Sequence, residues 1–426
     1  MNMKINRTIL FILSLTLTAS SCWAWIAGFS SETLVTHQDL ADKQTLYLAG
    51  YGILGNREAT GIHDDVSARS LYLSDSNNSV LIISLDAVGF SQKLGKRLRK
   101  ALSEELEIPS KNILLTATHT HSSIDLQGLW GSLEEEQASV ITKRIVKSGK
   151  SAVANARSAK LMLGLSDQGK GYNRRLKSNE IVSQVLSLNI TEKNGNPIAM
   201  LFSFGSHPVA LDDNNLEITS DWVGFSRDQI EKELGTRAIF INGSLGDVMP
   251  SLDGKPSNKR TFEFAKEYGE SIARAVIQAD KNARELNSHL AYCTEYIPLE
   301  VDNLKIITLT KTVRNGTIDW SSLTDTSLNT RTSVLILDRL VIMSVPGEPV
   351  TQMSQQLMAK APLFDRALFS LTHDSLGYLI PEEDVGRKDG YEEMFNLNRS
   401  FGTHVSNSID RLLNQCLGKQ RTISTN

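Results

Sequence analysis

Hydrophobic and polar positions along the chain fall into two periods, and most of its elements can be read from them. Ser67–Leu73 reads as a strand, Asp75–Asn78 as a turn, and Val80–Asp86 as a nearly continuous apolar strand covered on both faces. Residues 91–106 switch to helical spacing and stop at Ile108-Pro109, before an apolar run from Ile113. Strand, helix and strand in that order predict a parallel pair. A long amphipathic helix is expected over 133–160, followed by strands over 161–166, 182–191 and 197–204. Ser220-Asp221 caps a helix to about Leu234, and Arg237–Asn242 is the next strand. Residues 260–285 are helical, Val334–Leu337 and Arg339–Val345 are paired strands, and a last helix spans about Glu392–Cys416. Glycines in Leu46–Gly55 predict tight turns near the start of the folded part. The pattern predicts an α/β fold with a mixed, largely parallel central sheet flanked by helices. It contains neither repeat nor interdomain linker, so residues 30–426 are expected to form a single catalytic domain.

Several apolar strands exit into polar residues. Val80–Leu85 delivers Asp86, and Ile113–Ala117 delivers His119 and His121 in Thr118-His119-Thr120-His121-Ser122. Ile198–Phe204 delivers His207, and Arg237–Ile241 runs into the loop Asn242–Pro250. The strand ending at Val345 delivers Glu348 in Pro346-Gly347-Glu348-Pro349. In extended backbone, positions i and i+2 share a face, so His119 and His121 are expected to point the same way. Strands that end together in one sheet gather such residues at one edge. Taken singly, the histidine pair also reads as structural, and Glu348 as a carboxylate favoured at the start of the following helix.

Composition narrows the classes. A formal net charge of −3, with basic and acidic residues interspersed, gives nucleic-acid binding no electrostatic support. Lys4 and Arg7 precede the apolar run Ile9–Leu17, an export signal with cleavage expected after Ala24. Apolar character continues through Trp25–Phe29, so an uncleaved N-terminal anchor to about residue 29 is the alternative. Export places Cys293 and Cys416 in an oxidising compartment, where they either pair across a long loop or stay buried as free thiols. Gly149-Lys150-Ser151 lacks the upstream glycine of a phosphate loop and lies inside a predicted helix.

Two histidines and a carboxylate with one open position form the ligand set of a catalytic zinc centre. His-Glu-x-x-His and Gly-x-Ser-x-Gly are both absent, which disfavours a helical metalloprotease site and a serine-hydrolase elbow. With these segments in order, the chain resembles the neutral/alkaline (non-lysosomal) ceramidases in their N-terminal catalytic domain. The resemblance is carried by Ala49-Gly50-Tyr51, Gly61-Ile62-His63, Ser84-Leu85-Asp86, Thr118–Ser122, Asn173-Arg174, Ser220-Asp221, Gly246-Asp247-Val248, Val345–Glu348 and Tyr378. It covers roughly residues 46–415.

The resemblance implies zinc (Zn2+) held by His119, His207, Glu348 and Tyr378. His121 would stand near the substrate carbonyl, Arg174 would contact substrate, and Tyr391 would face the developing oxyanion. The implied reaction is attack of zinc-activated water on the amide of ceramide or another N-acyl lipid, with a membrane surface as a compatible partner. A zinc-dependent esterase or amidase of a different substrate, and a non-catalytic exported metal- or lipid-binding relative, stay open. Two departures separate this chain from the family. The position of an important family serine is Gly243, with Ser244 one residue late, and the C-terminal immunoglobulin-like domain is missing from the sequence.

Overall fold

The computed structural model describes residues 25–423, apart from 42–44, 53–56, 132, 176–178, 314–317, 323 and 389. Its principal elements are β1 (Trp25–Thr33), β2 (Ser67–Ser74), β3 (Ser79–Leu85), α1 (Gln92–Leu106), β4 (Ile113–Ala117), α2 (Glu135–Ala154) and β5 (Arg157–Ser166). There follow β6 (Val185–Glu192), β7 (Pro197–Phe204), α3 (Trp222–Leu234), β8 (Ala238–Asn242) and α4 (Phe262–Lys281). The C-terminal part holds β9 (Leu290–Glu300), β10 (Ser327–Leu337), β11 (Leu340–Ser344), α5 (Thr351–Met358), β12 (Asp365–Phe369) and α6 (Phe401–Ile423).

Two sheets result. The first runs β8-β7-β6-β5-β1-β2-β3-β4, with the short strand Arg284–Leu286 also paired to β5; the second runs β9-β10-β11-β12. The α/β class is as expected, but the sheets are mixed and mostly antiparallel, which corrects the largely parallel reading. The reason is connection length. Tight turns join β2 to β3, β6 to β7 and β10 to β11, and these pairs are antiparallel. A helix intervenes between β3 and β4, β7 and β8, and β11 and β12, and these pairs are parallel.

The sheets pack face to face through Leu71, Ile82, Leu201 and Ile239 against Leu335, Leu337, Ile342 and Phe369. On the outer face of the first sheet, Leu98, Leu102 and Ile145 cover Ile83 and Leu115, while Trp222, Tyr268 and Ile272 cover Phe202 and Phe240. On the outer face of the second, Met353, Val405 and Leu412 cover Val334, Ile336 and Val341. The order is therefore helices, sheet, sheet, helices. The first sheet also curls: Ser84 Oγ donates to the Phe240 carbonyl at 2.6 Å and Arg69 Nη1 to the Ala238 carbonyl at 2.6 Å, tying β3 and β2 to β8. This curl brings the exits of β4 and β7, from distant parts of the sheet, to one place.

Several sequence boundaries move. Trp25–Phe29 belong to β1, an internal strand of the first sheet, so the folded part begins before residue 30. The expected export signal and cleavage site fall in residues 1–24, outside the described residues, as does Gly55. Among the described residues no helix is long and apolar enough to cross a membrane. The helix expected to start near Glu392 is a short 3-10 turn at Tyr391–Phe395 followed by α6. Cys293 on β9 and Cys416 on α6 form a disulfide, with a Cα–Cα distance of 6.0 Å and a sequence separation of 123. It ties the last helix to the second sheet. A Cys293→Ser/Cys416→Ser double variant is expected to lose about 2–4 kcal/mol; a melting temperature equal to that of the parent would refute that contribution.

Candidate metal centre

Three exits meet in the fold. β4 ends at Ala117, and the chain turns so that His119 has φ +73, a conformation uncommon for a residue with a side chain. His119 and His121 are thus brought together by a turn and not by strand alternation, their Nε2 atoms 3.3 Å apart. Backbone bonds hold the turn: Thr118 N donates to the Leu85 carbonyl at 2.9 Å and His119 N to the Ala87 carbonyl at 2.9 Å. His207 follows β7, its N–H on the Val248 carbonyl at 2.9 Å. Glu348 comes from the second sheet, after β11, and pairs in parallel with Tyr378. The expectation of one sheet edge is thereby corrected: the site lies where two sheets meet.

Asn242 joins these exits. Its Nδ2 donates to the carbonyls of Thr118 (3.0 Å) and Ser206 (3.2 Å), and its backbone carbonyl accepts from Ser370 N at 2.9 Å. A buried carbonyl left without a donor costs about 1–3 kcal/mol, so one residue, through its side chain and its backbone, fixes three segments. Asp221 does similar work beyond His207, accepting from the backbone N–H of Ala210 (3.0 Å), Leu211 (3.0 Å) and Trp222 (2.6 Å). Burial pushes its carboxyl up to about 6 despite those bonds. Asp86, in contrast, does not join the group: it is fully buried, 2.8 Å from Arg227 Nη1 and bonded to Ser67 and Ser220.

His119, His207 and Glu348 offer donor atoms that all lie within 4.8 Å of one another. His119 Nδ1 lies 2.6 Å from the Val88 carbonyl and His207 Nδ1 3.2 Å from the Val248 carbonyl. A carbonyl only accepts, so each ring carries its proton on Nδ1 and a neutral ring turns an Nε2 lone pair inward. Glu348 Oε2 lies 3.4 Å from His119 Nε2 and 3.2 Å from His207 Nε2. His207 Nε2 and Glu348 Oε2 are buried without a hydrogen-bond partner. Burial, reinforced by the charge of Arg174, holds His207 down to about 4, so that ring is neutral near pH 7. Converging lone pairs and a negative charge, buried and lacking protons between them, fit a divalent cation.

His121 lines the cavity beside this group, its imidazole pushed well below its ordinary value by burial and then by His119. Gly50, at φ +101, packs so closely that a Cβ there would stand 2.3 Å from His121 Cγ. Tyr378 OH is 3.0 Å from Tyr391 OH and 3.1 Å from Arg174 Nη2. Burial pushes the Tyr378 phenol well above its ordinary value and raises that of Tyr391. Arg174 is held by Glu392 (Nε–Oε1 2.7 Å) and lies over the Tyr391 ring at 4.4 Å, behind the tyrosines and off the cavity wall. Gly243 and Ser244 also lie off that wall. The cavity measures about 780 Å³, with Leu129, Trp130, Ile306, Leu309, Ile318 and Leu376 in its wall and His119, His121, Glu348, Tyr378 and Tyr391 at its polar end.

Comparisons with known proteins follow the same lines. The sequence model of the family described as neutral/alkaline non-lysosomal ceramidase, N-terminal, matches residues 41–271. Neutral ceramidase A of Dictyostelium discoideum is 25% identical in an alignment of 263 residues that covers 50% of this chain and 36% of that protein. This chain therefore aligns with little more than a third of that relative's length. Among solved structures, neutral ceramidase from Pseudomonas aeruginosa superposes with a TM-score of 0.76 at 15% identity, over 92% of this chain and 75% of that one. A ceramidase complexed with C2 superposes with a TM-score of 0.77 at 14% identity, over 92% of this chain and 76% of the other. At these identities the superpositions establish the fold.

The metal fit has a direct test. His119→Ala and His207→Ala are each expected to remove bound divalent metal from purified protein, as measured by elemental analysis. Retention of the parent's metal content in both variants would rule out this ligand assignment.

Proposed function

This chain belongs to the neutral/alkaline non-lysosomal ceramidase family, and from that premise we propose that it is a zinc-dependent amidohydrolase of a ceramide-like N-acyl lipid. The observation that carries the reading is the junction of an acceptor-only cation cradle with a largely apolar cavity of about 780 Å³. His119, His207 and Glu348 would hold the zinc, with Tyr378, its OH 3.1 Å from Arg174 Nη2, as a fourth oxygen donor. Bound zinc supplies Lewis acidity toward a carbonyl and a water acidified to a pKa of roughly 7.

The protein's own groups do the rest. The apolar wall takes the acyl chain and excludes water, setting the amide against the polar end of the cavity. His121, neutral and beside His119, takes a proton at Nε2 from the attacking water and returns it to the amide nitrogen as the C–N bond breaks. Tyr391 keeps its phenolic proton and donates to the carbonyl oxygen as negative charge develops. Arg174 acts through Tyr378 and Tyr391 as a positioning residue. One water is consumed, and a fatty acid and a sphingoid base leave. The cavity beside His121 and Tyr391 favours hydrolysis over binding alone, since a purely structural metal site is closed by its ligands. Export by way of residues 1–24 and a single catalytic domain are part of the same proposal.

Fluorogenic ceramide, a simple N-acyl amide and a short ester, each with and without chelator, test the reading. Ceramide is expected to turn over fastest, with chelator abolishing the reaction and zinc restoring it; chelator-insensitive turnover, or preference for the short ester, would contradict it. Tyr378→Phe is expected to lower kcat by about 10²-fold while melting with the parent, and unchanged turnover would remove Tyr378 from the site. Trp130→Ala is expected to raise KM for a long-chain substrate more than for a short-chain one. Equal effects on both would dissociate the apolar wall from chain binding.

A further inference from the structure

A second pocket, of about 310 Å³, lies between α1 and the edge of the second sheet, where Gln92, Lys96, Arg99, Tyr296, Arg331 and Asp374 face it. The two arginines are unusual in their burial: Arg99 is 9% exposed and Arg331 4%. Their known partners are neutral. Arg99 Nη1 donates to the His373 carbonyl at 3.0 Å. Arg331 Nη1 donates to the Ser110 carbonyl at 3.3 Å, its Nη2 to the Tyr296 hydroxyl, and its guanidinium lies over the Tyr296 ring at 4.6 Å. A guanidinium has five N–H donors in a rigid fork, so both retain donors toward the pocket. Neither arginine forms an ion pair among the described residues.

The nearby acids are otherwise engaged. Asp374 Oδ2 accepts from Thr330 Oγ1 at 2.7 Å and from Gln92 Nε2 at 3.3 Å. Asp319 pairs with Lys96 at 2.5 Å, and Glu104 stands 3.9 Å from the exposed Lys100 at the rim. Among the described residues Asp374 is the one buried carboxylate that acts on both guanidinium groups, so two buried positive charges on this wall face a single counter-charge and one is left in excess. Guanidinium forks match the oxygens of a tetrahedral oxyanion, to which they donate in pairs.

We infer that this pocket is a binding site for a phosphoryl group, held by Arg99 and Arg331 with Lys100 at its rim. The segment 371–378 lies between the two pockets: Asp374 faces this one, while Leu371, Ser375, Leu376, Gly377 and Tyr378 face the large cavity. The site is separate from the candidate metal centre and does not depend on the reading of that centre.

The phosphoryl group could be free or carried by a lipid, and the test separates the two. Inorganic phosphate is titrated calorimetrically into the full chain at constant ionic strength, and vesicles of phosphatidylcholine with and without phosphatidic acid are tested by flotation. Saturable phosphate binding, weakened at least about tenfold in Arg331→Gln and Arg99→Gln and two- to threefold in the exposed variant Lys100→Gln, supports a site for the free ion. Binding only to vesicles containing phosphatidic acid, lost in the same arginine variants, supports a lipid-borne group. Hydrogen exchange on the unmodified protein serves if the buried-arginine variants do not fold: ligand-induced protection is expected in 92–103 and 371–376. No saturable binding in either arm, equal binding by parent and arginine variants, or protection confined to other segments would overturn the inference.

Discussion

Two imidazole nitrogens and a carboxylate oxygen, all acceptors, are packed together in largely buried side chains at the end of a cavity, and the rest of the site answers to that constraint. Each nitrogen is aimed by a carbonyl on the far side of its own ring, Val88 for His119 and Val248 for His207. Those carbonyls lie in loops leaving β3 and β8, so the protonation state of the rings is set by how the first sheet ends. Such a cluster is unfavourable by itself and becomes favourable with a cation among its members. The backbone strain at His119 belongs to the same picture: an uncommon φ persists where surrounding bonds over-determine it.

The fold supplies what local sequence cannot. The curl of the first sheet places the β4 and β7 exits together, and the face-to-face second sheet brings Glu348 and Tyr378 to them from the other side. Asn242 then ties the segments, its side chain through Thr118 and Ser206 and its backbone carbonyl through Ser370. Around this polar end the wall of the large cavity is apolar, which is the environment that strengthens electrostatic interactions at the reacting centre.

Much of this was legible in the sequence, for identifiable reasons. The turn Asp75–Asn78, the apolar β3 and the helix before β4 each carry their own local signal, and the parallel pairing of β3 with β4 followed from them. His119, His207 and Glu348 were legible because each ends an apolar run. Strand direction was not: β1, β5 and β6 have no signal saying which neighbour they will take, and the antiparallel majority follows from turns and tertiary placement. β1 escaped notice because its apolar start merges with the preceding hydrophobic stretch while Ser30–Thr33 are polar. The first half of β10 escaped because Thr330, Arg331, Thr332 and Ser333 are buried polar residues, for which periodicity gives no warning. The loop opening at Asn242 was legible as a strand exit, whereas the wall residues Leu129, Trp130 and Ile306 were invisible as site residues, since their contribution exists only across long sequence separations. Asp86 misled for the opposite reason: a carboxylate at a strand exit serves equally well as the partner of Arg227.

The most direct measurement is anomalous diffraction at the zinc absorption edge from crystals of the purified, unmodified protein. The account predicts one strong peak enclosed by His119 Nε2, His207 Nε2 and a Glu348 carboxylate oxygen, at ligand distances near 2.0–2.2 Å. An anomalous map with no peak among those three residues after soaking in zinc, or with the metal bound elsewhere, would contradict it.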